Sequence, residues 1–428
     1  MLVGGAGRFE RTFFWRLFIK RHKNLASGLH PYIVSFIGVN LSINGMSQKQ
    51  TVDYLLVQSG ADMRKALQTI RLFKSLAVDF EMENNYRRYG LHLALIQVST
   101  PERNTYVFDP LSDIDVSPIG ELFSDPSIEI VVHDIEFDKR ACHQVYGWVF
   151  RNIFDTKIAA QFCGYRNFGL AVLLEELIGV QTNKKFQRID WLKRPIKEDA
   201  LAYAATETTF LHKVRNILEQ KLFETGHIDW AREEFQYHEK VEPVETVEPY
   251  LKVRRHSSLA PRQLTILKYL AEFRENMAKK LNRPVQFIIR DKQLVDICHS
   301  PPADAASARA IKSMHPAVYQ DQNIGEFLNA IKVGLEVPEV RLNNTAHRPG
   351  SYAGNRSLKA MQQWRAVFAK THNIDPYLML DNEILKWAAR ESGISTVPPS
   401  ISAQIKGWQK KLIWPEFANH FHLPAIPE

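Results

Sequence analysis

Two carboxylates, Asp79 and Glu81, stand two residues apart inside the apolar run AVDFEME. Side chains on a strand alternate faces, so both would project to the same side. An unpaired buried charge is costly, so such a pair belongs to a solvated face or to a cation site, and the spacing alone does not choose. A second polar cluster, His133 to Arg140 (HDIEFDKR), follows the apolar segment IEIVV directly. A strand that ends in polar residues and opens a helix is where α/β sheets place their sites. Asp138 falls in the first turn of that helix, although Asp134, Glu136 and Asp138 would equally serve as caps and as complements to the helix dipole. The third feature is Tyr203 and Glu207 in EDALAYAATETTFLHKV, one turn apart and so on one helical face. Tyr203 shares a stripe with Ala200 and Phe210, as a packed core tyrosine would. Glu207, beside two threonines, would suit a surface as well.

These residues need elements to hold them. From Leu76 to Asp109 the sequence predicts three strands: SLAVDFEMEN, then LHLALIQVS with alternating apolar positions, then TYVFDP. A short helix around Ile119–Phe123, the strand at 128–132 and a helix from about Glu136 to Tyr146 follow. Residues 150–230 read as mostly helical, broken at Gly164, Gly169, Gly179 and Pro195. A meander of strands followed by helices points to an α/β domain with a mixed sheet. Residues 234–258, charged and proline-bearing, read as a linker or an extended crossover. A compact helical segment then runs from Leu259, and a polar stretch at 342–356 separates it from another helical block at 357–420 that carries Trp364, Trp387 and Trp408.

The 428 residues suit two or three domains, and 45% hydrophobic with 24% charged residues is the composition of a folded chain. A formal charge of +8 fits a polyanionic partner, since Lys and Arg neutralise phosphates. Cys142, Cys163 and Cys298 lie far apart with no metal-ligand spacing, which argues against a zinc knuckle or disulfide framework and for a reducing compartment. There is no run of about 18 apolar residues that would predict a membrane span. Residues 11–23 are basic and aromatic and 31–39 are apolar, but charge interrupts any signal-peptide pattern. Residues 1–45 are therefore read as an N-terminal extension, either of transit type or from a start set too early, with Met46 opening the domain.

The order of the acidic features carries more than each does alone. A strand pair of acids, an aspartate at a strand–helix junction, then tyrosine one turn before a carboxylate resembles the arrangement of the DEDD exonucleases. VDFEMENNYRRYGLHLALIQVS resembles the first exonuclease motif of the ribonuclease D family, and VVHDIEFDKRAC its second. FDTKIAAQFCGY, LEELIGV and QRIDWLKRPIKEDALAYAATET resemble the stretch leading into its third. The likeness covers about residues 50–225. Position 202 is Ala rather than His, which places the chain with the tyrosine branch of that superfamily.

The resemblance implies a ribonuclease H-like mixed sheet with flanking helices over 46–233, and an HRDC-type helical domain over 259–340. The latter rests on LAPRQLTILKYLAEFRENMAKKLNRPVQFIIRDKQLVDI, with Arg274, Asn282, Arg283, Pro284 and Asp291 in the family's rhythm. Residues 357–420 resemble a second, degenerate copy. It further implies that Asp79, Glu81, Asp138 and Glu207 bind two divalent cations, Mg2+ or Mn2+, which four crowded carboxylates require in any case. Tyr203 would orient the attacking water, and the catalytic set is Asp79, Glu81, Asp138, Tyr203 and Glu207. His133 would contact substrate or cap its helix. Arg188, Asp190, Trp191 and Arg194 would shape the pocket. The implied reaction removes 5′-mononucleotides from the 3′ end of RNA, chiefly tRNA precursors, in the cytoplasm, with no membrane and no obligate protein partner. A DNA 3′–5′ exonuclease and a catalytically silent RNA-binding homologue are the alternatives. The second arises because the family's third motif ends in Asp where this chain has Glu207. The extra methylene moves the carboxylate by roughly 1 Å, a distance to which catalysis is sensitive.

Overall fold

The computed structural model describes residues 52–182, 184–240, 247–342, 352–391 and 395–426. The proposed extension 1–45 lies outside them. A six-stranded mixed sheet organises the first domain, in the order β1-β4-β3-β2-β5-β6. Its strands are β1 Tyr54–Val57, β2 Ser75–Asn84, β3 Leu91–Ser99, β4 Thr105–Phe108, β5 Glu129–Val132 and β6 Ile153–Asp155. β2, β3 and β4 form the antiparallel meander, while β1 pairs β4, β5 pairs β2 and β6 pairs β5 in parallel. β6 corrects the reading of 150–230 as helical, and β1 adds a strand before the meander.

Helices cover both faces: α1 Gly60–Ile70, α2 Ser117–Ser124, α3 Ile135–Tyr146, α4 Thr156–Phe162, α5 Leu170–Ile178, α6 Glu198–Thr209, α7 Leu211–Thr225 and α8 Ile228–His238. One face buries α1, α2 and the apolar start of α3 against Val78, Phe80, Ile96, Phe108 and Ile130. On the other, α6 brings Ala200, Ala204 and Ala205, all buried, against Leu95 and Val107. Alanines let a helix backbone sit close to the sheet, so the longer Tyr203 and Glu207 of the same helix reach the strand carrying Asp79.

The second domain comprises α9 Pro261–Leu281, α10 Val285–Ile288, α11 Asp291–His299, α12 Ala305–Ala310 and α13 Asp321–Glu336. α9 and α13 pack closely at Gly334, where a Cβ would come within 2.6 Å of the Ile266 backbone. Arg274 is buried and pairs with Asp291 at 2.7 Å, which fixes α9 to α11. Of the span read as a linker, described residues at both ends are packed. Residues 234–238 finish α8, with Glu234 buried against Lys406, while Tyr250 and Val253 enter the core of the second domain.

The last block holds α14 Tyr352–Thr371, α15 Asn382–Arg390, α16 Pro399–Ser402, α17 Gly407–Leu412 and α18 Trp414–Phe421. It shares one apolar cluster with α4, α5, α7 and α8 of the nuclease fold. Trp408 is the centre: it meets Phe162 edge-on at 5.2 Å, stacks on Trp230 at 5.8 Å, and donates from Nε1 to Glu234 Oε2 at 3.2 Å. Glu233 accepts the Trp408 backbone N–H at 2.9 Å and also that of Gly407.

Candidate active site

Asp79 and Glu81 occupy β2 opposite Gln97 and Leu95 of β3, just before a register shift between Glu81 and Met82. From α6 the Tyr203 hydroxyl donates to Glu207 Oε1 at 2.6 Å. The Glu207 carboxyl lies close enough to Asp79 and Glu81 to raise the pKa of both. Crowded buried carboxyls cannot all ionise unaided, so protons or cations must balance this cluster. Asp138, on α3, adds its charge to Asp79, Glu81 and Glu207. The fold therefore brings the four acids of three distant segments into one electrostatic cluster.

Burial is the main cause of the resulting shifts. Burial and then the Glu207 charge push Asp79 and Glu81 well above the ordinary carboxylate range. Asp138 is raised by burial and then by Asp134, Asp155 and Glu207. Glu207 is raised by burial to about 7, against the opposing hydrogen bonds from Tyr203, Asp79 and Glu81. Among the described residues no three His, Cys, Asp or Glu side chains form a ready-made metal cage. The donor set nevertheless fits hard divalent cations, being all oxygen and anionic, and such cations would take the place of the shared protons. Asp79, Tyr203 and Glu207 line a cavity of about 330 Å3 together with His133, Asn167 and Gln187.

These shifts set the sign of a pH effect. A carboxyl whose pKa is higher in the folded chain binds more protons folded than unfolded, so stability is full at low pH and falls as pH rises. For Glu207 the window runs from its ordinary 4.5 to about 7. Without divalent cations the melting temperature is expected to fall by several degrees across that window, and added Mg2+ or Mn2+ to restore it progressively more as pH rises. Calorimetry at stepped pH, with and without Mn2+, measures both arms.

The surrounding residues position the cluster. Asp155, at the start of α4, accepts the backbone N–H of Asp134 at 3.1 Å, of Ile135 at 3.0 Å and of Lys157 at 2.8 Å, which ties the start of α3 to α4. Asp134 has φ 68° and pairs with Lys157 at 2.6 Å. His133 lines the cavity and bonds through Nδ1 to Thr156 at 2.9 Å. Of the loop residues, Asp190 is gripped by Arg88 at 2.7 and 3.2 Å, the Arg188 carbonyl accepts from Arg87 at 2.7 Å, and Arg194 forks onto Asp109 at 2.6 and 2.8 Å. Trp191 is buried in the core under α6. The neighbouring Gln187 reaches the cavity.

Sequence reasoning missed Asp155 and Gln97. Gln97 is fully buried in register with Asp79, and among the described residues neither polar atom of its amide has a protein partner. A glutamine inside the otherwise apolar run LALIQVS was the available signal.

Residues 54–223 match the 3′–5′ exonuclease family and residues 263–331 match the HRDC domain. The sheet, the acid cluster and these matches define a 3′–5′ exonuclease with an HRDC domain behind it. Ribonuclease D of Desulfotalea psychrophila is 27% identical over 340 residues, covering 77% of this chain and 89% of that protein. Ribonuclease D of Escherichia coli is 26% identical over 374 residues, covering 85% and 96%. The crystal structure of Escherichia coli RNase D, an exoribonuclease involved in structured RNA processing, superposes with a TM-score of 0.68 at 24% identity, over 86% of this chain and 99% of that one. Within that class the chain is similar to the ribonuclease D proteins along most of their length.

Proposed function

We propose that the chain removes 5′-mononucleotides from the 3′ end of RNA by two-metal-ion hydrolysis, with tRNA precursors as its substrates and the cytoplasm as its location. One observation carries the reading: Glu207 accepts from Tyr203 of its own helix and shares one buried acidic cluster with Asp79 and Glu81 of the sheet. The ribonuclease D relatives support RNA as the polymer. The domains follow as the exonuclease at 46–233, the HRDC domain at 259–340 and a degenerate HRDC-like block at 357–420.

Asp79, Glu81, Asp138 and Glu207 would hold the cations. When bound, such ions make hydroxide available near neutral pH and stabilise charge on the phosphate and the leaving 3′-oxygen. Tyr203 does the positioning. Burial, followed by the charge of Glu207, raises its pKa, so it remains a phenol and a hydrogen-bond donor. Held one turn before Glu207, its hydroxyl is placed to orient the water that attacks the last phosphodiester. Hydrolysis there releases a 5′-mononucleotide and leaves a new 3′-hydroxyl end.

Incubating the purified protein with 3′-extended tRNA and Mg2+ or Mn2+, and assaying released mononucleotides, tests the reading. Faster degradation of a matched DNA oligonucleotide would overturn it in favour of a DNA exonuclease. RNA binding without release would favour the silent homologue. Glu207→Asp decides what the unusual residue does. The glutamate reaches three partners, so retracting its carboxyl by roughly 1 Å is expected to lower kcat about tenfold. A rise in kcat would instead mean that Glu207 attenuates a site shaped for aspartate.

A further inference from the structure

His133 stands at the end of β5 and lines the same cavity as Asp79, Tyr203 and Glu207. Its hydrogen bonding fixes its tautomer. Thr156 Oγ1 lies 2.9 Å from the Val132 carbonyl and 2.9 Å from His133 Nδ1. A hydroxyl has one proton, and a carbonyl can only accept, so the threonine donates to Val132 and must accept from the ring. Nδ1 therefore carries a hydrogen. Burial holds the ring's pKa down and keeps it neutral, against the pull of Asp155 and Asp134. Nε2 is left as a lone pair, and among the described residues no side chain or backbone donor meets it.

An acceptor in this cavity selects its partner by chemistry. Phosphate oxygens are themselves acceptors and would repel it. The donors on a nucleotide are the ribose hydroxyls and the exocyclic amines of some bases. Every base must pass through an exonuclease site in turn, so only the ribose offers the same donor at each cycle. The sugar of the terminal nucleotide also adjoins the phosphate that the acid cluster acts on.

We propose that His133 is a substrate-binding residue whose Nε2 accepts a hydrogen bond from a ribose hydroxyl of the 3′-terminal nucleotide. The inference rests on the exoribonuclease reading and names the group by which the site recognises its RNA end. Thr156 is the positioning residue that aims the lone pair.

The test uses the full chain with Mn2+ and three oligoribonucleotides that differ only in the terminal sugar, which is ribose, 2′-deoxyribose or 3′-deoxyribose. None of the changes touches the bond that is cut. For the wild type, kcat/KM is expected to fall about tenfold on one of the deoxy ends, the loss of one hydrogen bond to a buried acceptor. A fall on the 2′-deoxy end assigns the 2′-hydroxyl, and a fall on the 3′-deoxy end the 3′-hydroxyl. His133→Ala should show the same deficit on the ribose end and no further loss on that deoxy end. His133→Gln, which keeps an acceptor, should recover part of the discrimination. If His133→Ala discriminates between the sugars as the wild type does, or if both variants lose activity equally on all three ends, the inference is overturned. A wild type that releases no mononucleotide from the ribose end would instead sink the exoribonuclease reading itself.

Discussion

Asp138→Ala is expected to lower kcat at least about a thousandfold while the chain melts no lower than the wild type in cation-free buffer. The two halves of that outcome have one cause. Asp138 is enclosed among Asp134, Asp155 and Glu207, all of like charge, and burial already raises its pKa. Folding gains nothing from its ionised form, so removing it relieves repulsion. The same crowding would draw the proposed divalent cations, so the loss is expected to fall on chemistry. Mononucleotide release under single-turnover conditions measures the first half and calorimetry the second. A variant that lost both activity and stability would mark Asp138 as a structural residue of α3.

Tyr203→Phe should lower kcat about a hundredfold with little change in KM. The ring is buried beside Ala200, Ala204 and Trp191 and lies 5.8 Å from Phe186, packing that phenylalanine preserves. What disappears is the 2.6 Å donation to Glu207 and, with it, the proposed orientation of the attacking water. That donated bond also helps hold Glu207 down to about 7, so its loss should move the acidic limb of the pH–rate profile upward. An unmoved profile with full activity would leave Tyr203 as core packing alone.

The strands that carry the acids were legible because β2 and β3 are long enough, at ten and nine residues, for alternation to show. β6, at three residues, is too short to carry a period and exists by pairing with β5. Asp79, Glu81, Asp138, Tyr203 and Glu207 were singled out as candidates through their order along the chain. Asp155 was not, since a lone aspartate before a helix reads as an ordinary cap. Nor was Gln97, whose interest lies in the partners it lacks. Long-range partners account for the remaining misreading. Glu234 looked like part of a charged linker because its counterion Lys406 lies far along the chain, and the tryptophans of the last block gave no sign that they would cover the nuclease helices.

The turn between β2 and β3 has a consequence for the architecture as a whole. Tyr89 leaves the nuclease sheet, packs half-buried against the apolar core of the HRDC domain, and bonds through its hydroxyl to Glu275 at 2.6 Å and through its backbone N–H to Asn282 at 3.2 Å. Next to it, Arg87 and Arg88 grasp the loop that supplies Gln187 to the cavity. The two domains are thus not interchangeable modules strung on a chain. Grafting a foreign accessory domain onto this nuclease would strip Tyr89 of its contacts and unsettle a hairpin that also carries Asp79 and Glu81.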